Sequence, residues 1–192
     1  LMNEYHEPPL FVSVERPDYS KYIIPTTWFG NGFAFYWNVA DFNLRFVLME
    51  DLEGEGITAN GIRDGRGKGY KTTGYSLVKN MSAVYTGISG LRVGGSLTFN
   101  DAPYSQVKEN SKITAADVAD SSLSIQIVEV NAKYSAKNIY AVFEYGQNLF
   151  EGNNYTSPLN KSSGYYVDIG YNIGEMVNTN KLIPWLRVSN VS

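Results

Sequence analysis

No cysteine occurs among the 192 residues, which excludes a disulfide framework, a thiolate metal centre and a cysteine nucleophile. Histidine is nearly as scarce. His6 stands alone, and one imidazole cannot build the multi-histidine sites that hold zinc. No stretch reaches the roughly 18 apolar residues of a membrane-spanning helix. A spanning strand needs only about 9 to 11 residues, half of them polar, so a mean hydropathy of -0.25 leaves a strand-built membrane protein open. Surplus charge is small, at -3 with a pI near 5.2, and does not provide the basic face of a nucleic-acid binder. The opening LMNEYHEPP has neither the basic nor the apolar region of an export signal. The expectation is a chain that is not exported, or one whose leader has been removed. Aromatic residues and glycine are plentiful: 15 Tyr, 9 Phe and 18 Gly, a composition that favours strands joined by tight turns.

Period-2 alternation predicts eight strands, at about 31–38, 42–50, 76–86, 90–100, 122–135, 138–147, 163–173 and 181–190. In the fourth, Leu91, Val93, Leu97 and Phe99 share a face with Gly95, opposite Arg92, Gly94, Ser96, Thr98 and Asn100. In the seventh, Tyr165, Val167, Ile169, Tyr171 and Ile173 oppose Tyr166, Asp168, Gly170 and Asn172. The fifth changes phase, Leu123, Ile125 and Ile127 giving way to Val128, Val130, Ala132 and Tyr134, which predicts a β-bulge.

The predicted connections run short at 39–41, long at 51–75, short at 87–89, long at 101–121, short at 136–137, long at 148–162 and intermediate at 174–180. In an up-and-down antiparallel sheet every second connection lies at the same end, so the long ones share one rim and the tight turns the other. Outer-membrane barrels are built this way, whereas Greek-key sandwiches have no reason to be. Opposite the apolar stripes fall Arg45, Arg92, Glu129, Lys133, Glu144, Asp168 and Arg187, candidate lining for a water-filled lumen. Trp37, Tyr85, Tyr145, Tyr165 and Tyr171 lie near strand ends on the apolar face, where interfacial girdles belong. Lys79 shares the face of Leu77, Met81 and Ala83, so it must sit at a rim and snorkel, or the register there differs.

The loop ANGIRDGRGKGYKTTG at 59–74 invites a phosphate-loop reading and fails it, because Lys71 and Thr72 follow Tyr70 rather than glycine and no strand-to-helix context surrounds them. Its Arg63, Arg66, Lys68 and Lys71, against Asp64, form a local basic cluster able to draw anions toward a pore mouth. In DLEGE at 51–55 the acidic spacing is not that of a calcium loop, and solvated loop acidity is the expectation. Glu144 and Asp168 are more simply wall residues than a catalytic pair. No nucleophile and base can be paired, no metal or cofactor is implied, and an enzyme is not expected. Residues 1–30 hold Pro8, Pro9, Pro17 and Pro25 without sustained alternation, so they read as a long ordered loop serving as an inward constriction or an external lid.

Taken in order, NEYHEPPLF (3–11), RPDYSKYIIPTTWFGNG (16–32), GIRDGRGKG (61–69), YTGISGLRVGGS (85–96), SGYYVDIGYNIG (163–174) and LIPWLRVSN (182–190) resemble bacterial outer-membrane porins of the phosphate-selective porin-like group. The first four blocks carry the specificity; the last two are common to barrels. The resemblance implies an all-β fold, an antiparallel up-and-down transmembrane β-barrel of about sixteen strands, of which 1–192 is part. It also implies a homotrimer in the bacterial outer membrane, in contact with lipid and lipopolysaccharide and passing small hydrophilic solutes. On that footing Leu1 reads as mid-barrel sequence, and Ser192 is not the aromatic end of a closing strand. Phosphate selectivity is not carried across, since the expected wall mixes both signs. Three other readings stay open: a surface receptor or adhesin on a barrel scaffold, an outer-membrane hydrolase, and a soluble β-sandwich binding domain.

Overall fold

The computed structural model describes residues 15–25, 27–58, 60–70, 74–104, 122–152 and 160–192. Eight strands run β1 Gly32–Val39, β2 Phe42–Met49, β3 Val78–Ile88, β4 Leu91–Pro103, β5 Ser122–Ala136, β6 Ile139–Glu151, β7 Lys161–Tyr171 and β8 Trp185–Val191. They form one antiparallel up-and-down sheet in chain order, and each corresponds to a strand expected from alternation. The sheet is open: β1 and β8 are its edges and do not pair with each other.

Two-residue loops close three hairpins, at Ala40–Asp41, Ser89–Gly90 and Lys137–Asn138. Lys137 and Asn138 both have positive φ, 50° and 63°, the turn geometry whose twist matches that of the flanking strands. The connections 50–77, 104–121 and 152–160 leave the other end of the sheet. β8 begins at Trp185, four residues later than expected, because Pro184 stands before it without an N–H to donate. Pairing there is irregular, with Tyr171 N–H donating to the Pro184 carbonyl at 3.2 Å.

The pleat sorts side chains onto two faces. One row crosses seven strands as Trp37, Leu44, Ala83, Gly95, Val130, Tyr145 and Tyr165. This apolar face is the exposed one: Phe35 is 61% accessible, Ile169 57% and Leu186 69%. The polar face is the buried one, carrying Asn80, Thr98, Asn100 and Asn131. That distribution inverts the rule for sheets in water. Among the described residues no second sheet covers the apolar face. Charged side chains on it, Lys79, Asp101, Glu151 and Lys161, lie close to the strand ends that meet the long connections. Lys79 is therefore at a rim, as its place in an apolar stripe requires.

At this same end the polar face turns apolar and receives loop side chains. Tyr19, Ile23, Ile24, Leu52, Ile57 and Ile62 are buried against Val47, Val78, Ile125 and Phe150. The fifth strand consequently needs no bulge. β5 pairs with β4 and β6 in unbroken register, and Leu123, Ile125 and Ile127 stay on the face of Glu129 and Asn131, turned into this core. The change of phase in sequence marks a change in what the face meets along its length. The register does shift in β3, between Tyr85 and Ile88.

Candidate functional site

All seven residues expected to line one wall, Arg45, Arg92, Glu129, Lys133, Glu144, Asp168 and Arg187, lie on the polar face, the pairing register placing them on β2, β4, β5, β6, β7 and β8. Asp168 and Arg187 are cross-strand partners joined by two hydrogen bonds, Nε to Oδ1 and Nη2 to Oδ2, each 2.6 Å. The guanidinium also lies 5.3 Å from the Tyr166 ring centre and 5.1 Å from that of Trp185. Lys133 stands opposite Arg92 and 5.8 Å from the Tyr140 ring, while Arg45 lies 5.7 Å from that of Tyr36.

Burial separates the signs that the sequence mixes. Glu129 is 1% accessible, Glu144 0% and Asp168 2%, whereas Arg45, Arg92 and Lys133 are half-buried. Glu129 accepts from Asn131 Nδ2 at 2.7 Å and from Ser96 Oγ at 3.2 Å. With Asp168 held by a guanidinium and Glu144 wholly covered, the two do not form an accessible acid and base. Among the described residues no group of carboxylates and histidines is arranged to hold a metal.

Across part of this wall lies a segment that sequence reasoning left as loop. A four-residue helix, α1 (Tyr19–Tyr22), sits on the polar face of β6 and β7. Asn148 Nδ2 donates to the Ile23 carbonyl at 2.9 Å, Arg187 Nη1 to that of Glu15 at 3.1 Å, and the rings of Tyr19 and Tyr166 are 5.8 Å apart. Burial raises the Tyr19 hydroxyl well above the usual phenol range, and the charges of Glu144 and Glu129 add to it. Room for α1 comes from Gly146 and Gly164, opposite each other on β6 and β7. A Cβ on Gly146 would stand 2.7 Å from the Tyr19 hydroxyl oxygen, and one on Gly164 3.0 Å from Ile23 Cγ1. That inward glycine pair was the available signal for a segment lying across the wall.

The basic cluster divides. Arg63 and Lys68 are exposed. Arg66 is partly buried and donates to the carbonyls of Arg63 and Thr27, clamping the loop to the segment before β1, and burial lowers its pKa, helped by Arg63. Lys71 and His6 lie outside the described residues. The acidic stretch is not solvated as expected. Asp51 is buried and accepts from Tyr75 N–H at 2.6 Å, Ser76 N–H at 3.2 Å and Asn100 Nδ2 at 2.8 Å. The adjoining Glu50 accepts from the N–H groups of Asn31 and Gly69 at 3.0 and 2.8 Å. A loop that returns to its own sheet exposes backbone donors that need partners, and these carboxylates supply them; only Glu55 is exposed.

Fold and site together define a single antiparallel sheet whose exposed face is apolar and whose polar face is covered by its own connections. No family model matches the chain. A stretch of 55 residues, 29% of the chain, is 38% identical to a protein of Aquifex aeolicus (strain VF5) described as uncharacterized. The match spans 13% of that relative's length.

Proposed function

We propose that the chain is part of an outer-membrane β-barrel porin, a passive channel for small hydrophilic solutes. The observation that carries this reading is the inverted sheet: exposed aromatic and aliphatic side chains on one face, buried amides, hydroxyls and ions on the other. Lipid tolerates the first and an aqueous lumen the second. From Leu91 to Phe99, and from Tyr165 to Tyr171, the apolar stripe runs about 20–27 Å along the strands at ~3.4 Å per residue, close to the apolar band of outer-membrane barrels. Tyr85, Tyr134 and Tyr171 mark its turn end, and Phe99, Tyr145 and Tyr165 its other end. Hydrocarbon does not accept open sheet edges, so the reading includes further strands beside β1 and β8, to the sixteen or so that the porin resemblance implies. The homotrimer and outer-membrane location rest on that resemblance.

The charge that solute meets on this wall is inferred to be basic, since Glu129, Glu144 and Asp168 are buried while Arg45, Arg92 and Lys133 are half-buried. Anions should therefore pass more readily than cations. Planar-bilayer recording of the full-length protein under a salt gradient tests conduction and sign together. The expected outcome is discrete conductance steps with an anion-selective reversal potential, moved toward zero by Arg92→Gln with Lys133→Gln. Protein that inserts without conducting would reject the channel.

The seat of α1 favours a second reading, a barrel scaffold closed by its own opening segment and presenting long loops as a receptor or adhesin. Insertion without conductance, before and after displacement of α1, is the result that would establish it.

A further inference from the structure

The apolar face is not evenly ridged. Ala83 and Gly95 lie opposite each other on β3 and β4, within the row Leu44, Ala83, Gly95 and Val130. Having almost no side chain, they floor a groove of about 640 Å³ walled by Phe35, Trp37, Phe46, Met81, Leu97 and Val130. Arg45 and Glu129 border it through the sheet, but their side chains belong to the polar face by the pleat. Apart from the Trp37 indole N–H, the side chains that face this groove are apolar, so the occupant they fit is hydrocarbon.

Four residues along β3 from Ala83, about 13 Å at strand rise, Lys79 stands on the same face beside Leu48 and Phe99. It is exposed, and among the described residues its ammonium has no hydrogen bond or ion pair. The nearest acid on this face, Asp101, is one row further out on β4 and accepts from Ser76 Oγ at 3.3 Å. An unpaired cation at the rim of an apolar band lies at headgroup depth, and half of a roughly 30 Å hydrocarbon core is close to the distance from ammonium to groove floor.

We propose that the Ala83–Gly95 groove seats one acyl chain of a membrane lipid with net negative charge, whose phosphate is held by Lys79. The proposal rests on the membrane-spanning reading of the sheet and specifies which lipid its outer surface selects. Trp37 in the groove wall is a built-in reporter, since bromine on an acyl chain quenches indole fluorescence on contact. With Trp28→Phe, Trp185→Phe and any tryptophan of the further strands likewise replaced, so that Trp37 is the only indole, the full-length protein is refolded into phosphatidylcholine vesicles with a small fraction of phosphatidylglycerol, one or the other lipid brominated at mid-chain. Phosphatidylglycerol is expected to reach Trp37 with about fivefold preference over its bulk fraction, the factor from one lysine at an anionic surface. Lys79→Gln should abolish the preference, as should Ala83→Leu by filling the floor.

A second protein, free of native tryptophan and carrying Ile169→Trp far from the groove on the same face, reports whether that face meets lipid at all. Quenching of Trp37 in proportion to bulk composition, or a preference that Lys79→Gln leaves intact, overturns the lipid site. Quenching at position 169 without quenching at Trp37 also overturns it and means that protein, such as a second copy of the chain, covers the groove. Quenching at neither position overturns the membrane-spanning reading itself.

Discussion

Arg187 is fixed by a carboxylate on one side and two aromatic rings on the others, an arrangement that leaves its planar guanidinium no freedom to swing. Removing the partner should therefore cost more than removing the pair. Asp168→Asn is expected to destabilise the folded protein by about 3 kcal/mol, the scale for stranding a buried ion, with Asp168→Asn plus Arg187→Met recovering part of it; guanidinium titration in vesicles followed by tryptophan emission measures both. Tyr19 offers a test by pH. Its folded-state pKa is raised above an unfolded value of about 10, so the neutral phenol contributes stability that is full below pH ~10 and is lost as pH climbs beyond it. Tyr19→Phe should flatten that alkaline loss while leaving neutral pH almost unchanged, as near-ultraviolet circular dichroism can follow. At this scale the sequence was partly legible. Strict alternation put seven ionic side chains on one face, and the structure keeps them there. Which were covered could not be read, because burial on this wall depends on segments that return to it from far away in the chain, as α1 returns to Asn148 and the Gly146–Gly164 pair. Asp51 was misjudged for a related reason: three acids in five residues look solvated unless one knows that Tyr75, Ser76 and Asn100 converge on one of them.

The strands were legible as elements because the period of 2 persists for most of each and the turn residues bound them sharply. What failed was the inference that a break in the apolar pattern of β5 must be a break in its pairing. An unbroken ladder can carry apolar residues on the same face where that face meets a loop core and polar ones where it does not. α1 was illegible because a single helical turn after Pro17 has no periodicity to detect. Its docking makes an element-scale prediction. Gly146→Ala puts a methyl group against the Tyr19 hydroxyl, an overpacking worth about 1–3 kcal/mol. The variant should unseat α1 without disturbing the β6–β7 ladder, giving unchanged strand circular dichroism and larger single-channel conductance. Unchanged conductance with α1 shown to be displaced would mean that this segment does not narrow the path.

For the molecule as a whole, the decisive property is which solvent each face requires. Leu97, exposed in the middle of β4, is a place where water and lipid give opposite answers. An arginine there would fall within about ±0.5 kcal/mol on a water-facing surface, but two residues inside the end of an apolar band in a bilayer it should cost at least ~1 kcal/mol, toward the about 2–4 kcal/mol of the midplane. Leu97→Arg compared with Leu97→Ser by denaturant titration in vesicles separates the two without any knowledge of the solute. A neutral result would favour the soluble alternative.

The segment from α1 to β1 ties distant parts of the sheet together. Ile23 is fastened to β6, and only nine residues later Gly32 opens β1 at the far edge. At a maximum of about 3.3–3.6 Å per residue, the chain from Ile23 to Gly32 can reach no more than ~32 Å. It therefore acts as a chord across the arc of strands, limiting how far the first edge can drift from the sixth strand. Five strand spacings of about 4.8 Å put β1 and β6 roughly 24 Å apart in a flat sheet, within that reach, so the chord caps how far the edge can splay away and leaves the curvature itself to strand twist.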